Sequence, residues 1–281
     1  MANLLSGLEK FGLGNFEDEK IFEDEKKAEA ISKGTAVKET AEEDLLFDKT
    51  YQCPVCDKEF KSKTVRTGKA KLLGTDIDLR AKYQGIDPLK YDIVSCPKCG
   101  YTTVTRYFNL ITSPQASLIR EKISRNYKAS VNNESTISYE AAIESHKLAL
   151  VNAIVKKCRV SEKAYICLKI AWLIRGQRED LDETANDYKD LVTKSETEEL
   201  EFIKNAYEGF SAAVAKEEFP MCGMDESTMD YLLAALACQC KQYDMASRLV
   251  SNVITSRVAK NNLKEKAREL KTVILQERKE N

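Results

Sequence analysis

From Ser138 to the C-terminus, apolar residues return every three or four positions. Tyr139, Ala142, Ile143, His146, Ala149, Leu150 and Ala153 fall on one stripe, the period of a helix with one face in a core. Ser161 is placed to cap a second helix carrying Ala164, Leu168, Ala171 and Trp172, with Gly176 as its stop. Further helices are predicted over 182–192 and 198–214, the latter with Ile203, Tyr207, Phe210 and Val214 along one face. Pro220 and Gly223 interrupt the chain before helices over 227–240, 243–256 and 263–277. Six or seven helices with short links predict an antiparallel helical array. Upstream the period changes. Residues 60–73, rich in Lys, Thr and Val, predict one or two short strands, and 91–94 and 101–108 predict two more, with a turn at Gly85-Ile-Asp-Pro88. The expected fold class is α+β: a small β domain followed by an all-α array.

The array carries a partial repeat signal. Tyr231-Leu-Leu-Ala234, a turn, and then Tyr243 to Ile254 with Ala246 place an aromatic, a leucine and a small residue on one helix against small and bulky residues on the next. This arrangement looks like a tetratricopeptide unit. Residues 138–150 look like a second helix of another such unit. Lys241 stands where the turn glycine is usual and Ala237 where an aromatic is usual, and Ala142, Ala185 and Ala246 do not keep one period. The reading is therefore tetratricopeptide-like with irregular insertions, the alternative being a generic helical bundle.

Charge divides the 281 residues further. Lysine and arginine number 44 and aspartate and glutamate 45, so the net charge is −1, which argues against a protein that coats polyanions. Residues 1–47 carry 12 acidic and 6 basic side chains, residues 48–113 carry 7 and 12, and residues 114–281 are balanced. The first segment, with its near-duplicated Phe16-Glu-Asp-Glu-Lys20 and Phe22-Glu-Asp-Glu-Lys26, reads as a flexible acidic arm with a short amphipathic helix around Ile21 to Ile31. The expected domains are thus the arm at 1–47, a β domain at 48–113 and the helical domain at 114–281.

The middle segment holds the main chemical signal. Cys53-Pro-Val-Cys56 and Cys96-Pro-Lys-Cys99 lie on either side of the predicted strands. Two Cys-x-x-Cys pairs supply four thiolates, a complete tetrahedral shell for Zn²⁺. The two-residue spacing lets a tight turn aim both sulfurs at one ion while backbone N–H groups of the turn point at the sulfurs. Gly100 follows the second pair where a positive φ is expected, and Asp57 holds the matching place after the first. Because Cys53, Cys56, Cys96 and Cys99 would fill every coordination position, the predicted zinc is structural rather than catalytic. The layout is that of a zinc ribbon, in which a metal makes up for a core too small to fold alone.

Other residues carry weaker signals. Lys58, Lys61, Lys63, Arg66, Lys69 and Lys71 form a basic run near Phe60, Tyr83, Tyr91, Tyr101, Tyr107 and Phe108. Such a face can bind single-stranded nucleic acid, and a solvated strand face over an aromatic mini-core is the plainer reading. Asp76 and Asp78 are expected to be solvated turn acids. His146, the sole histidine, falls on an apolar stripe and reads as a packed core residue. Cys158, Cys167, Cys222, Cys238 and Cys240 read as small apolar side chains, and Trp172 as core.

Leu45-Leu-Phe-Asp-Lys49 leading into the first cysteine pair, Tyr83-x-Gly-Ile-Asp-Pro88-x-x-Tyr91 leading into Cys96-Pro-x-Cys-Gly-Tyr101, Ala171-Trp172 and the 231–254 hairpin together resemble the bacterial domain-of-unknown-function family 2225, over residues 45–256. The resemblance implies a bacterial cytosolic protein and supplies no activity. Phosphate-loop, dinucleotide-fingerprint and His-Glu-x-x-His patterns are missing, as is any run of 18 apolar residues. The expected function is therefore non-enzymatic and cytoplasmic: a protein with a structural zinc site that binds a protein or peptide through its helical half, without membrane contact. The alternative is a nucleic-acid-binding regulator using Lys61, Lys63, Arg66 and Lys69 of the ribbon. An enzyme would need a carboxylate cleft on the helices, such as one containing Glu140 and Glu144, which read as a solvated face.

Overall fold

A computed structural model describes residues 41–128 and 135–280. The helix expected around Ile21 to Ile31, with most of the acidic arm, lies outside the described residues. The described residues belong to one compact unit, which joins a small antiparallel β region to a helical array.

Among the described residues, six strands pair as three separate hairpins rather than one sheet. Strand β1 (Leu46–Gln52) pairs with β2 (Glu59–Val65), Leu46 opposite Val65 and Gln52 opposite Glu59. β3 (Lys71–Thr75) pairs with β4 (Ala81–Gln84), with an irregularity between Leu72 and Gly74. β5 (Ile93–Ser95) pairs with β6 (Thr102–Val104). The strands expected over 60–73 are β2 and β3. β1 and β4 were not predicted: β1 buries only Leu46 and Tyr51, so no alternation marks it. Two expected strands are shorter than their apolar runs. Tyr91 closes a 3-10 turn, Pro88–Tyr91, whose first N–H groups are met by Asp87 Oδ1 accepting from Leu89 N at 2.9 Å, and the chain after Val104 turns into a second 3-10 segment.

Seven α-helices follow among the described residues: α1 (Ser113–Ile119), extended by a π turn over Arg120–Ser124, α2 (Tyr139–Val155), α3 (Val160–Glu179), α4 (Tyr188–Val214), α5 (Glu226–Gln239), α6 (Tyr243–Thr255) and α7 (Asn261–Glu280). Sequence neighbours pack together, α2 on α3, α3 on α4, α4 on α5, α5 on α6 and α6 on α7, the expected behaviour of helices joined by short links. α3 is the central element, with Leu168, Ile170, Ala171 and Leu173 completely buried.

Three expectations about these helices are corrected. Gly176 does not end α3. It lies inside the helix because the Tyr139 ring crosses there, 2.6 Å from where a Cβ would stand. Ser161 is not the cap. It lies in the first turn, and orphan donors of that turn are met by Glu217, which accepts from Val160 N at 2.8 Å and Ser161 N at 3.3 Å, and also from the Ser161 hydroxyl at 2.5 Å, a carboxylate at the positive end of the helix. The helices expected at 182–192 and 198–214 are largely one, α4. The polar interval between them is a solvated turn in which Thr193 and Thr197 hydroxyls bond back to the carbonyls of Lys189 and Thr193.

The α5–α6 link is three residues long. Lys241 takes φ +60°, the left-handed position that glycine usually fills, and Gln242 N donates to Ala237 O at 2.8 Å across the turn. Ala237, Tyr231, Ala234 and Ala246 are buried in the largest core with Phe210, Val250 and Leu270.

Candidate metal centre

Each cysteine pair sits in the turn of a hairpin, Cys53 and Cys56 between β1 and β2, Cys96 and Cys99 between β5 and β6. The two turns repeat one set of hydrogen bonds. Cys53 N donates to Lys58 O at 3.0 Å and Cys96 N to Tyr101 O at 2.8 Å; Asp57 N donates to Cys53 O at 2.9 Å and Gly100 N to Cys96 O at 3.0 Å. The residues after the second cysteines are both left-handed, Asp57 at φ +58° and Gly100 at +73°. At position 100 glycine is required twice over, since an added Cβ would stand 2.5 Å from the Tyr127 ring.

This geometry brings Cys53, Cys56, Cys96 and Cys99 to one point. All four sulfurs lie within 4.8 Å of one another. Cys53 Sγ is 3.6 Å from Cys99 Sγ, and Cys56 Sγ is 3.7 Å from Cys96 Sγ. A tetrahedron of thiolates about 2.3 Å from zinc has edges of about 3.8 Å, so two of the edges already match. Backbone N–H groups of Val55 and Cys56 point at Cys53 sulfur, and those of Lys98 and Cys99 at Cys96 sulfur. Hydrogen bonds from Cys53 and Cys99 hold the Cys96 thiol far below its ordinary range, whereas Cys53 and Cys99 are pushed up. Four thiols at this distance cannot all ionise beside each other; a divalent cation reverses that, and the donor set suits one.

The support around the sulfurs comes from residues that carried no sequence signal. Arg120 Nε donates to Val55 O at 2.8 Å and Ser124 Oγ to Cys99 O at 2.8 Å, so the end of α1 grips one turn through each bond. Asn152 on α2 is completely buried. Its Nδ2 donates to Gly100 O at 3.1 Å, and its Oδ1 accepts from Thr102 N at 3.3 Å. Tyr51, Phe60, Tyr101 and Phe108 pack into an aromatic cluster beneath, with Phe108 centred 5.2–5.9 Å from the other three rings.

The profile of the family described as "Uncharacterized protein conserved in bacteria (DUF2225)" matches residues 46–274, a span that contains both knuckles and nearly all of the array. The chain belongs to this family. A curated relative from Borreliella burgdorferi, named "Uncharacterized protein", is 32% identical over 79 residues, covering 25% of this chain and 28% of its own length. No solved structure matches.

Elsewhere in this DUF2225 member, Asp76 and Asp78 depart from expectation. They are not solvated acids. Asp78 is completely buried, where Arg175 of α3 meets it with Nη1 at 3.0 Å and Nη2 at 2.7 Å. Arg175 Nη1 also reaches Asp76 at 3.0 Å and its Nε reaches Glu199 at 2.7 Å; Arg178 holds the other Glu199 oxygen at 2.6 Å. Burial alone would raise the Asp78 pKa, but the Arg175 hydrogen bonds and charge outweigh it and hold the carboxyl below its usual range. This cluster fastens the β3–β4 hairpin to α3 and α4.

The remaining candidates fall as follows. Lys61, Arg66 and Lys69 are exposed, Lys63 pairs with Asp48 at 3.0 Å, and Arg66 lies 5.8 Å over the Phe47 ring. His146 is completely buried as expected; its Nδ1 is 2.7 Å from Ala142 O, and burial pushes its pKa down to about 4. Trp172 is buried. Cys158, Cys167, Cys222, Cys238 and Cys240 join no metal-ligating cluster among the described residues. Glu140 and Glu144 are exposed on the rim of an open cleft of about 470 Å³ whose lining includes Ile143, Ile174, Leu181 and Leu191. No helix among the described residues is long and apolar enough to cross a membrane.

Proposed function

We propose that this protein is a non-enzymatic, cytoplasmic zinc protein that binds a protein or peptide through its helical half. The observation that carries the metal assignment is the convergence of four sulfurs from two hydrogen-bond-matched turns. Cys53, Cys56, Cys96 and Cys99 hold one Zn²⁺ and leave no coordination position for water or substrate, so the ion shapes the β region instead of reacting. A reducing compartment keeps such thiolates available. The cleft between α2, α3 and α4 supplies the partner surface, with an apolar floor that includes half-exposed Leu191 and a rim of both charge signs. Metal analysis of purified protein tests the first part. For the second, full-length protein captures a saturable partner from its native cell, and Leu191→Glu abolishes capture while zinc content stays unchanged. Capture that survives this substitution removes the cleft from the proposal.

A second reading is favoured by one observation: the exposed Arg66 guanidinium lies 5.8 Å over the ring of exposed Phe47, in a stretch that also carries exposed Lys61 and Lys69. On this reading the hairpin binds single-stranded nucleic acid. Titration with a labelled oligonucleotide at low salt decides it. Binding must weaken steeply with salt and vanish when Lys61, Arg66 and Lys69 become alanine.

A further inference from the structure

The cleft of about 470 Å³ is built without any of the strands. Its lining comes from the first turns of α2 (Glu140 to Lys147), the last turns of α3 (Ile174 to Arg178), Leu181 beyond them and the first turns of α4 (Leu191 to Glu198). It therefore offers no sheet edge to an extended peptide. A helix satisfies its own backbone and can lie in such a cleft through side chains alone. Glu140 to Lys147 rises about 10 Å, or two helical turns. Where the lining of α2 and α4 ends, Lys147 and Glu198 pair at 2.8 Å. Ile143, Ile174, Leu181 and Leu191 are the apolar part of the lining. Leu191 is 38% exposed, so a partner's apolar stripe gains by covering it.

The two walls differ in charge. Glu140 and Glu144 stand one turn apart on α2, both exposed, and among the described residues neither joins an ion pair. Like charges at that spacing repel mildly. The positive start of α2 offsets Glu140; Glu144 lies a turn farther in. On the α4 wall, exposed Lys194 is likewise without an ion pair among the described residues. The other basic groups of the lining are taken up, Lys147 by Glu198 and Arg178 by Glu199 at 2.6 Å.

We infer that the cleft takes two turns of an amphipathic helix that carries lysine or arginine, four residues apart, along its edge facing α2. The inference rests on the cleft being the partner surface and adds the partner's chemistry. Full-length protein is titrated with labelled helical peptides of about 15 residues. The first has a leucine stripe flanked on one side by two lysines four residues apart and on the other by glutamine. In the second the lysines are glutamates, and in the third the leucines are serines. The expected result is saturable binding of the lysine peptide, about tenfold tighter than the glutamate peptide at low salt. Added salt narrows that gap, and the serine peptide does not bind. Glu140→Lys combined with Glu144→Lys reverses the preference. The peptide comparison on unaltered protein needs no variant and stays decisive if the double variant does not fold. Equal binding of lysine and glutamate peptides, or tighter binding of the glutamate peptide, overturns the inference; if Leu191→Glu weakens both, the cleft remains the partner surface. Binding of the serine peptide as tight as that of the lysine peptide overturns it too. So does the failure of every peptide to bind, and the cleft reading then stands or falls on Leu191-dependent capture.

Discussion

Two clusters tie distant stretches of this chain together, and they are built by opposite rules. The sulfur cluster takes its four groups from two short turns, two residues apart within each pair. The carboxylate–guanidinium cluster around Arg175 takes Asp76 and Asp78 from a loop 97–99 residues away, Glu199 from the next helix and Gln239 from α5 at 3.3 Å. In the first, local backbone geometry makes the site, which the proposed ion would complete. In the second, the finished fold makes the site, since the charges meet only after α3, α4 and the hairpin have packed. The difference teaches that charges of one sign can be concentrated locally only where a counter-ion is to be added, whereas a self-neutralising cluster can be assembled from anywhere in the chain.

Removing the ion separates the two most sharply. Structural zinc in small domains binds with roughly 10–16 kcal/mol, so chelation is expected to strip amide protection from the knuckles and the β5–β6 hairpin while α5 to α7 keep theirs in hydrogen exchange. Equal loss in both regions would show that the array depends on the metal too. Next in size is Arg175→Met, which leaves Asp78 charged and buried without its partner. The expected cost is about 3–5 kcal/mol in denaturant unfolding, and adding Asp78→Leu should recover much of it. A third test uses pH. His146 has a folded pKa depressed to about 4, below the unfolded value of about 6.5. The unfolded chain then binds the extra proton first, so this histidine leaves stability untouched above pH 6.5 and removes it as pH falls, by about 3 kcal/mol near pH 4. His146→Leu should flatten that part of the pH–stability curve, and an unchanged slope would place the histidine in water. The smallest effect is expected from Asn152→Ala, which removes its bonds to Gly100 O and Thr102 N, Gly100 O keeping the Thr102 hydroxyl, at an expected cost of about 1–3 kcal/mol. Combined with chelation it should add little, because the second knuckle is then already loose.

What could be read from the sequence follows the same division. The knuckles were legible because two-residue cysteine spacing, a following Gly100 and a matching Asp57 are local features, and the left-handed φ at both positions agrees with them. The helices from α2 to α7 were legible by period. Their ends were less so: Gly176 looked like a stop because the Tyr139 ring that requires it lies 37 positions earlier, and Glu217 caps α3 from 56–57 positions beyond. α1 gave no expectation at all, being seven residues long, although Arg120 and Ser124 at its end hold both knuckles. Asp78 looked like a solvated turn acid because nothing near it announces Arg175. The gripping residues around the sulfurs and the ionic cluster share one property: their partners are chosen by tertiary packing.

The account rests on the four sulfurs sharing one ion, and metal content per chain tests it most directly. Protein purified without chelators, measured by elemental analysis alongside Cys96→Ser, is expected to hold one zinc per chain and to lose it in the variant. Metal-free protein with an intact, protected β5–β6 hairpin would contradict the account, as would a variant that keeps its zinc.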